Sequence, residues 1–181
     1  MKEIKIIVAA AIGAALYGVL SVYGGGIPVY GNVQLRYCLI VVVVVAGYYG
    51  PLAGALAGGI GNVIADAIGG WGFWWSWSIA NAIAGAILGA TGLFGANLAK
   101  GKFTQKHLIT FAILAILAHV IAYGLVAPLL DQVMYGGDLT VNLTQGWVAA
   151  IGNIIVSLVI GLPVQWFLAG RNATAGTLAE E

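Results

Sequence analysis

Hydrophobic and polar positions alternate on a coarse scale along this chain: long apolar runs, each near the length that crosses a bilayer, are parted by short breaks of glycine, proline or charge. A helix needs about 20 apolar residues to cross the hydrocarbon layer. On that measure six spans are expected, at about 5–23, 33–48, 52–68, 78–98, 108–125 and 146–168, and they leave room for little else in a single membrane domain, 1–181. The first continues through Tyr23 with no convincing cleavage site, so it reads as a retained span, closed by Gly24-Gly25-Gly26-Ile27-Pro28. The second contains Val41 to Val45, a β-branched run that would favour a strand in water. In lipid a lone strand leaves its backbone unpaired, so a helix is expected there too. Gly50-Pro51 turns the chain tightly into the glycine-rich third span, and Asp131 to Asn142 reads as a longer acidic connection into the sixth. The expected fold is an all-α integral membrane protein, a compact bundle of six transmembrane helices.

Charge adds an orientation. Six of the seven basic residues, Lys2, Lys5, Lys100, Lys102, Lys106 and Arg171, fall at the termini and in the loop between the fourth and fifth spans. By the positive-inside rule that side, with both termini, is cytoplasmic. Composition, 61% hydrophobic and 7% charged, excludes a soluble domain, and a net charge of +1 offers no basic patch for nucleic acid. A single cysteine, Cys38, rules out an internal disulfide, and with His107 and His119 far apart neither a metal site nor another cofactor is expected.

The charges expected to be embedded or part-embedded, Arg36, Asp66, Asp131 and Asp138, all belong to the outer half, where such ionisable groups commonly line a pathway or a binding cavity. Asn62 and Asp66 are four residues apart and share a helical face; they serve either as helix-pairing groups, with Arg36 as a salt-bridge partner, or as ligand contacts. Four tryptophans crowd into Trp71–Trp77, either as an interfacial belt or as walls for a flat heterocycle, with Trp74 and Trp75 foremost. His119 and Asn153 are lone polar groups in apolar spans, suited to interhelical hydrogen bonds or to a ligand. Tyr123, Asp131, Tyr135, Asn142 and Gln145 gather near the outer ends of the fifth and sixth spans as a solvated loop or a lid. The candidate substrate contacts are therefore Arg36, Asn62, Asp66, Trp71, Trp74, Trp75, Trp77, His119, Tyr123, Asp131, Tyr135 and Asn153, and the acids among them favour a neutral or cationic ligand. Ala10, Ala11, Ala14 and Ala15 make a flat face on the first span for helix packing or for docking a membrane partner. No phosphate loop, nucleophile elbow or His-Glu-x-x-His pattern occurs, which argues against an enzyme. The absence of a convincing internal repeat argues against a stand-alone channel or secondary transporter.

Over essentially its whole length the chain resembles the six-helix S components of energy-coupling factor (ECF) transporters, prokaryotic vitamin importers, and most of all a subfamily long labelled uncharacterised. The resemblance rests on the alanine-rich stretch Ala10 to Val19, on Gly50-Pro51, on Trp71–Trp77, and on Ala127-Pro128-Leu129-Leu130-Asp131 followed by Tyr135-Gly136. It implies a non-catalytic subunit of the cell membrane that captures a vitamin or cofactor precursor, with cobalamin, riboflavin and thiamine among the possibilities. The substrate would lie near the outer surface, under the loops Gly24–Asn32 and Trp71–Trp77. It further implies that an Ala-x-x-x-Ala pattern, matched by Ala10–Ala14 and Ala11–Ala15, contacts a transmembrane coupling subunit. Two ATPase subunits would supply the energy, and the S component would topple in the membrane to deliver its cargo.

Overall fold

The computed structural model describes residues 2–24, 26–31 and 33–179, with side chains between 3 and 173. Gly25 and Asn32 of the expected outer loop, the Lys2 side chain and the end of the tail at Glu181 lie outside the described residues. Five helical rods are long and apolar enough to cross a membrane: Glu3–Tyr23, Pro51–Gly69, Trp75–Phe94, Gln105–Met134 and Leu139–Ala173; a shorter apolar helix, Leu39–Tyr49, completes the set. In chain order these are α1 (Lys2–Tyr23), α2 (Leu39–Tyr49), α3 (Pro51–Gly69), α4 (Trp75–Gly89), α5 (Gln105–His119), α6 (Ala127–Met134), α7 (Leu139–Val156) and α8 (Leu162–Ala179). A π-helical segment, Val120–Val126, joins α5 to α6, and a second, Ser157–Gly161, joins α7 to α8.

The boundaries differ from the hydropathy reading where backbone pairing intervenes. The second helix begins at Leu39, not near Val33, because Val33–Leu35 (β2) pairs antiparallel with Ile27–Tyr30 (β1) in a hairpin. Eleven residues of α2 rise about 16 Å, roughly half the hydrocarbon thickness. The valine run is helical, as lipid requires. The expected acidic connection shrinks to 135–138: α6 runs on to Met134, and Asp138 starts α7 early by accepting the Thr140 and Val141 amides at 2.8 and 3.1 Å.

Small residues decide how the rods meet. Gly50, at φ +86°, ends α2 and starts α3 with Pro51 in the first turn, so the two helices turn on a single residue. Gly54 and Gly85 face each other so closely that a Cβ on either would strike the other's backbone, and Gly58 lies against the Asn81 carbonyl. Gly13 faces Ala57, and Gly18 faces Ile64, so α1 runs parallel to α3 while α4 runs antiparallel to it. Lipid offers no hydrophobic gain for helix contact, and close backbone packing takes its place. The start of α1, the Gly50-Pro51 turn and the 95–107 loop therefore share one end, where Asn172 donates to Tyr48 Oη at 2.8 Å and to the Leu98 carbonyl at 2.7 Å. Lys5, Lys100, Lys102, Lys106 and Arg171 are all at that end, and all are exposed. Bulky residues such as Ile109, Ile113, Ile151 and Phe167 cover the outside of the bundle, the surface that acyl chains meet.

Candidate functional site

A buried amide organises the outer half of the bundle. Asn81 on α4 accepts hydrogen bonds at Oδ1 from Tyr17 Oη of α1 at 3.0 Å and from Tyr123 Oη at 2.7 Å. Its Nδ2 donates to Asn62 Oδ1 at 3.2 Å and to the Trp77 carbonyl at 2.9 Å. Both donors and both acceptor positions of the side chain are filled. Asn62 Nδ2 in turn donates to Ser78 Oγ at 3.1 Å and reaches Asp66 Oδ2 at 3.4 Å. Sequence reasoning identified Asn62, Asp66 and Tyr123 but missed Asn81, Tyr17 and Ser78. Asn81 was open to the same reasoning as Asn62, a polar group amid alanines in an apolar span, with Trp77 and Ser78 one turn before it.

Both embedded acids converge on the first turn of α4. Asp66 Oδ2 accepts the Trp74 amide at 2.9 Å, while Asp131 accepts from Ser76 Oγ and, at 2.9 Å, from Trp77 Nε1. Helix N-termini carry unpaired amides and partial positive charge, which carboxylates offset. Trp74 supplies no side-chain cap, so Asp66 performs that service from α3. Tyr135 adds a third tether, accepting the Trp75 amide at 2.9 Å and donating to the Phe73 carbonyl at 3.2 Å. The salt bridge considered between Arg36 and Asp66 is not formed.

The tryptophans divide by face. Trp75 shares the exposed side of α4 with Ile79 and stacks on Phe73 at 5.8 Å. Its ring lies on the outside of the bundle. Trp74 lies edge-on to Tyr135 at 4.8 Å and donates its Nε1 to the Trp71 carbonyl at 3.1 Å. Trp77 turns inward, half-buried, with its ring 6.0 Å from that of Tyr123.

Above this floor the β1–β2 hairpin leans on α7, with Gly31 beside Gln145 and Leu35 beside Gly152. Arg36 follows the hairpin directly and holds its guanidinium 5.1 Å from the centre of the Trp71 ring. Among the described residues it forms no ion pair. Asn153 continues the inward stripe Gly146, Ala149 and Ala150 of α7, yet it is only half-buried and forms no side-chain hydrogen bond among the described residues. Deeper, His119 is fully buried, with Nε2 2.8 Å from Ser157 Oγ and Nδ1 without a partner. The other histidine, His107, caps α5 with Thr104 at the opposite end.

The family model for the S component of an ECF-type riboflavin transporter matches residues 1–169. The chain belongs to this S-component family. It is also 34% identical over 177 residues to a UPF0397 protein of Vibrio atlanticus (strain LGP32), an alignment covering 97% of each chain. UPF0397 proteins of Vibrio vulnificus (strain YJ016), 36% identical over 97% of each chain, and of Aliivibrio salmonicida (strain LFI1238), 35% identical over 97% of this chain and 96% of its own, are similar throughout. As an S component the chain is a membrane-embedded, substrate-binding subunit of an ECF-type transporter and works with an ECF module.

In this S component the alanine face of α1 splits in two. Ala10 and Ala14 are buried at 3% and 1% exposure, with the Ala14 carbonyl against Gly61 of α3. They hold the bundle together and are not available to a partner. Ala11 and Ala15 face outward. Adjacent to them, Ala9, Ile12, Gly13 and Leu16 form one wall of an apolar groove of about 410 Å³ whose other wall is α2, from Ile40 to Tyr49.

Proposed function

We propose that this S component captures a small water-soluble vitamin or cofactor precursor at its outer face and releases it inward through a module of one coupling subunit and two ATPase subunits. The family match across 1–169 carries this reading. The buried polar floor around Asn81 and the hairpin leaning over α7 support an outward-facing site. Riboflavin is the foremost candidate because the matching family model bears its name; cobalamin, thiamine and related precursors are the competitors. Trp77, Arg36 and Asn153 are the proposed ligand contacts, since each presents a ring, a fork of donors or an amide not fully engaged within the chain. Asn62, Asp66, His119, Tyr123, Asp131 and Tyr135 shape the walls, and Trp71 and Trp74 the rim. The chain performs no covalent chemistry; its partners hydrolyse ATP. Inward release requires a state with lower affinity, because a ligand held equally in both states shifts neither.

Mass spectrometry of small molecules released from the purified chain tests the capture role. A vitamin-like compound at near one-to-one ratio is expected; an empty protein that no vitamin stabilises overturns it. The coupling face is tested by Ala11→Trp, which is expected to abolish uptake in cells carrying the module while leaving ligand affinity within twofold. Loss of binding together with uptake refutes the docking role of that face.

A further inference from the structure

We propose that Arg36 sets the charge class of the ligand: it takes an acceptor group, a ring carbonyl or a carboxylate, on a flat heterocycle, and turns away heterocycles that are cationic. This rests on the substrate-capture reading; of the neutral or cationic ligands suggested by the acids alone, it keeps the neutral and excludes the cationic. Those acids are tethered within the chain. Asp66 and Asp131 are drawn to the first turn of α4, where the helix N-terminus offsets their charge, and Asp138 caps α7. Of the seven lysines and arginines, Arg36 is the one at the outer end. It lacks a carboxylate partner among the described residues and is half-buried beside the polar floor, close enough for its charge to act on Tyr17, Cys38, Asp66 and Tyr123. Its guanidinium carbon lies over the Trp71 ring, 5.1 Å from the ring centre, a cation–π contact that uses its charge but no acceptor. A guanidinium carries five N–H donors in a planar fork, the geometry that matches carbonyl and carboxylate oxygens. A half-buried cation without a carboxylate partner gains from an acceptor supplied by the ligand, and it repels a second cation at short range.

The test is equilibrium binding of three probes to the full chain purified in detergent: riboflavin, a neutral ring dione; nicotinate, an anionic heteroaromatic; and thiamine, a cation. Wild type is expected to bind riboflavin or nicotinate at least tenfold more tightly than thiamine. Arg36→Gln is expected to weaken the preferred probe at least tenfold with helicity and melting temperature unchanged, and Arg36→Lys to recover part of the loss. Thiamine as the tightest probe, an Arg36→Gln affinity within twofold of wild type, or a wild type that binds none of the three each overturns the assignment. Should Arg36→Gln fail to fold, Arg36→Lys carries the test, with at least threefold weakening expected and unchanged affinity refuting it. The substrate-capture reading itself fails on a different result, the absence of both a co-purifying small molecule and module-dependent uptake.

Discussion

The two halves of the bundle handle their polar groups in opposite ways. In α1, α3 and α4, backbones touch at glycines and the central amide, Asn81, has every hydrogen-bonding position filled. In α5 to α8 the helices pass through two π-helical segments, and His119 Nδ1 and Gln165 Oε1 are buried without partners. His119 and Ser157, whose side chains meet, stand where the π segments begin. Saturated contacts make a rigid frame, whereas π segments mark places where a helix departs from its regular ladder, frequently at functional sites. The saturated contacts thus lie in the first half, and the π segments and the two unsatisfied buried atoms in the second.

The sharpest way to break that contrast is to add one methyl group to each half. Gly85→Ala drives a Cβ into the Gly54 backbone and is expected to cost about 3 kcal/mol. Gly152→Ala would meet only Leu35 at 3.4 Å, an ordinary contact, and is expected to stay within about 0.5 kcal/mol. Thermal unfolding in detergent reads both, and equal losses would remove the distinction. Next in size, Asn81→Ala strands two tyrosine hydroxyls and the Asn62 carbonyl oxygen. At about 0.6 kcal/mol per interhelical hydrogen bond, a loss of about 2 kcal/mol is expected. Asn153→Ala, with no hydrogen bond to lose, should leave the melting temperature unchanged while weakening ligand binding; a drop equal to that of Asn81→Ala would place Asn153 in the frame. His119→Leu is expected to stay within about 1 kcal/mol of wild type, because one ring nitrogen is already unsatisfied. A loss of several kcal/mol would show that His119 belongs to the rigid frame as well.

Much of the site was legible in the sequence as a list of residues, but not as an arrangement. Asn62 and Asp66 stood out because polarity inside an apolar span is costly wherever it occurs, and Tyr123 and Asp131 because polar groups gather at the outer ends of the fifth and sixth spans. Their partners did not: Tyr17 and Asn81 are 64 positions apart, and Asp131 meets Ser76 from 55 positions away. The hairpin was hidden for another reason. Hydropathy windows register apolarity and do not separate Val33–Leu35 from the helix that follows.

By itself, then, the sequence determined that this chain lives in a membrane, roughly where its spans fall and which end carries the basic residues, because length, hydropathy and charge are properties of contiguous segments. Only the tertiary structure decided which donors meet which acceptors, since that depends on helix rotation and depth. It turned Ala10 and Ala14 inward and Ala11 and Ala15 outward, committed both embedded acids to the start of α4, and left Arg36 without an ionic partner among the described residues. A rotation of about 100° per residue separates neighbours on a helix, and only packing against another helix chooses which of them faces lipid.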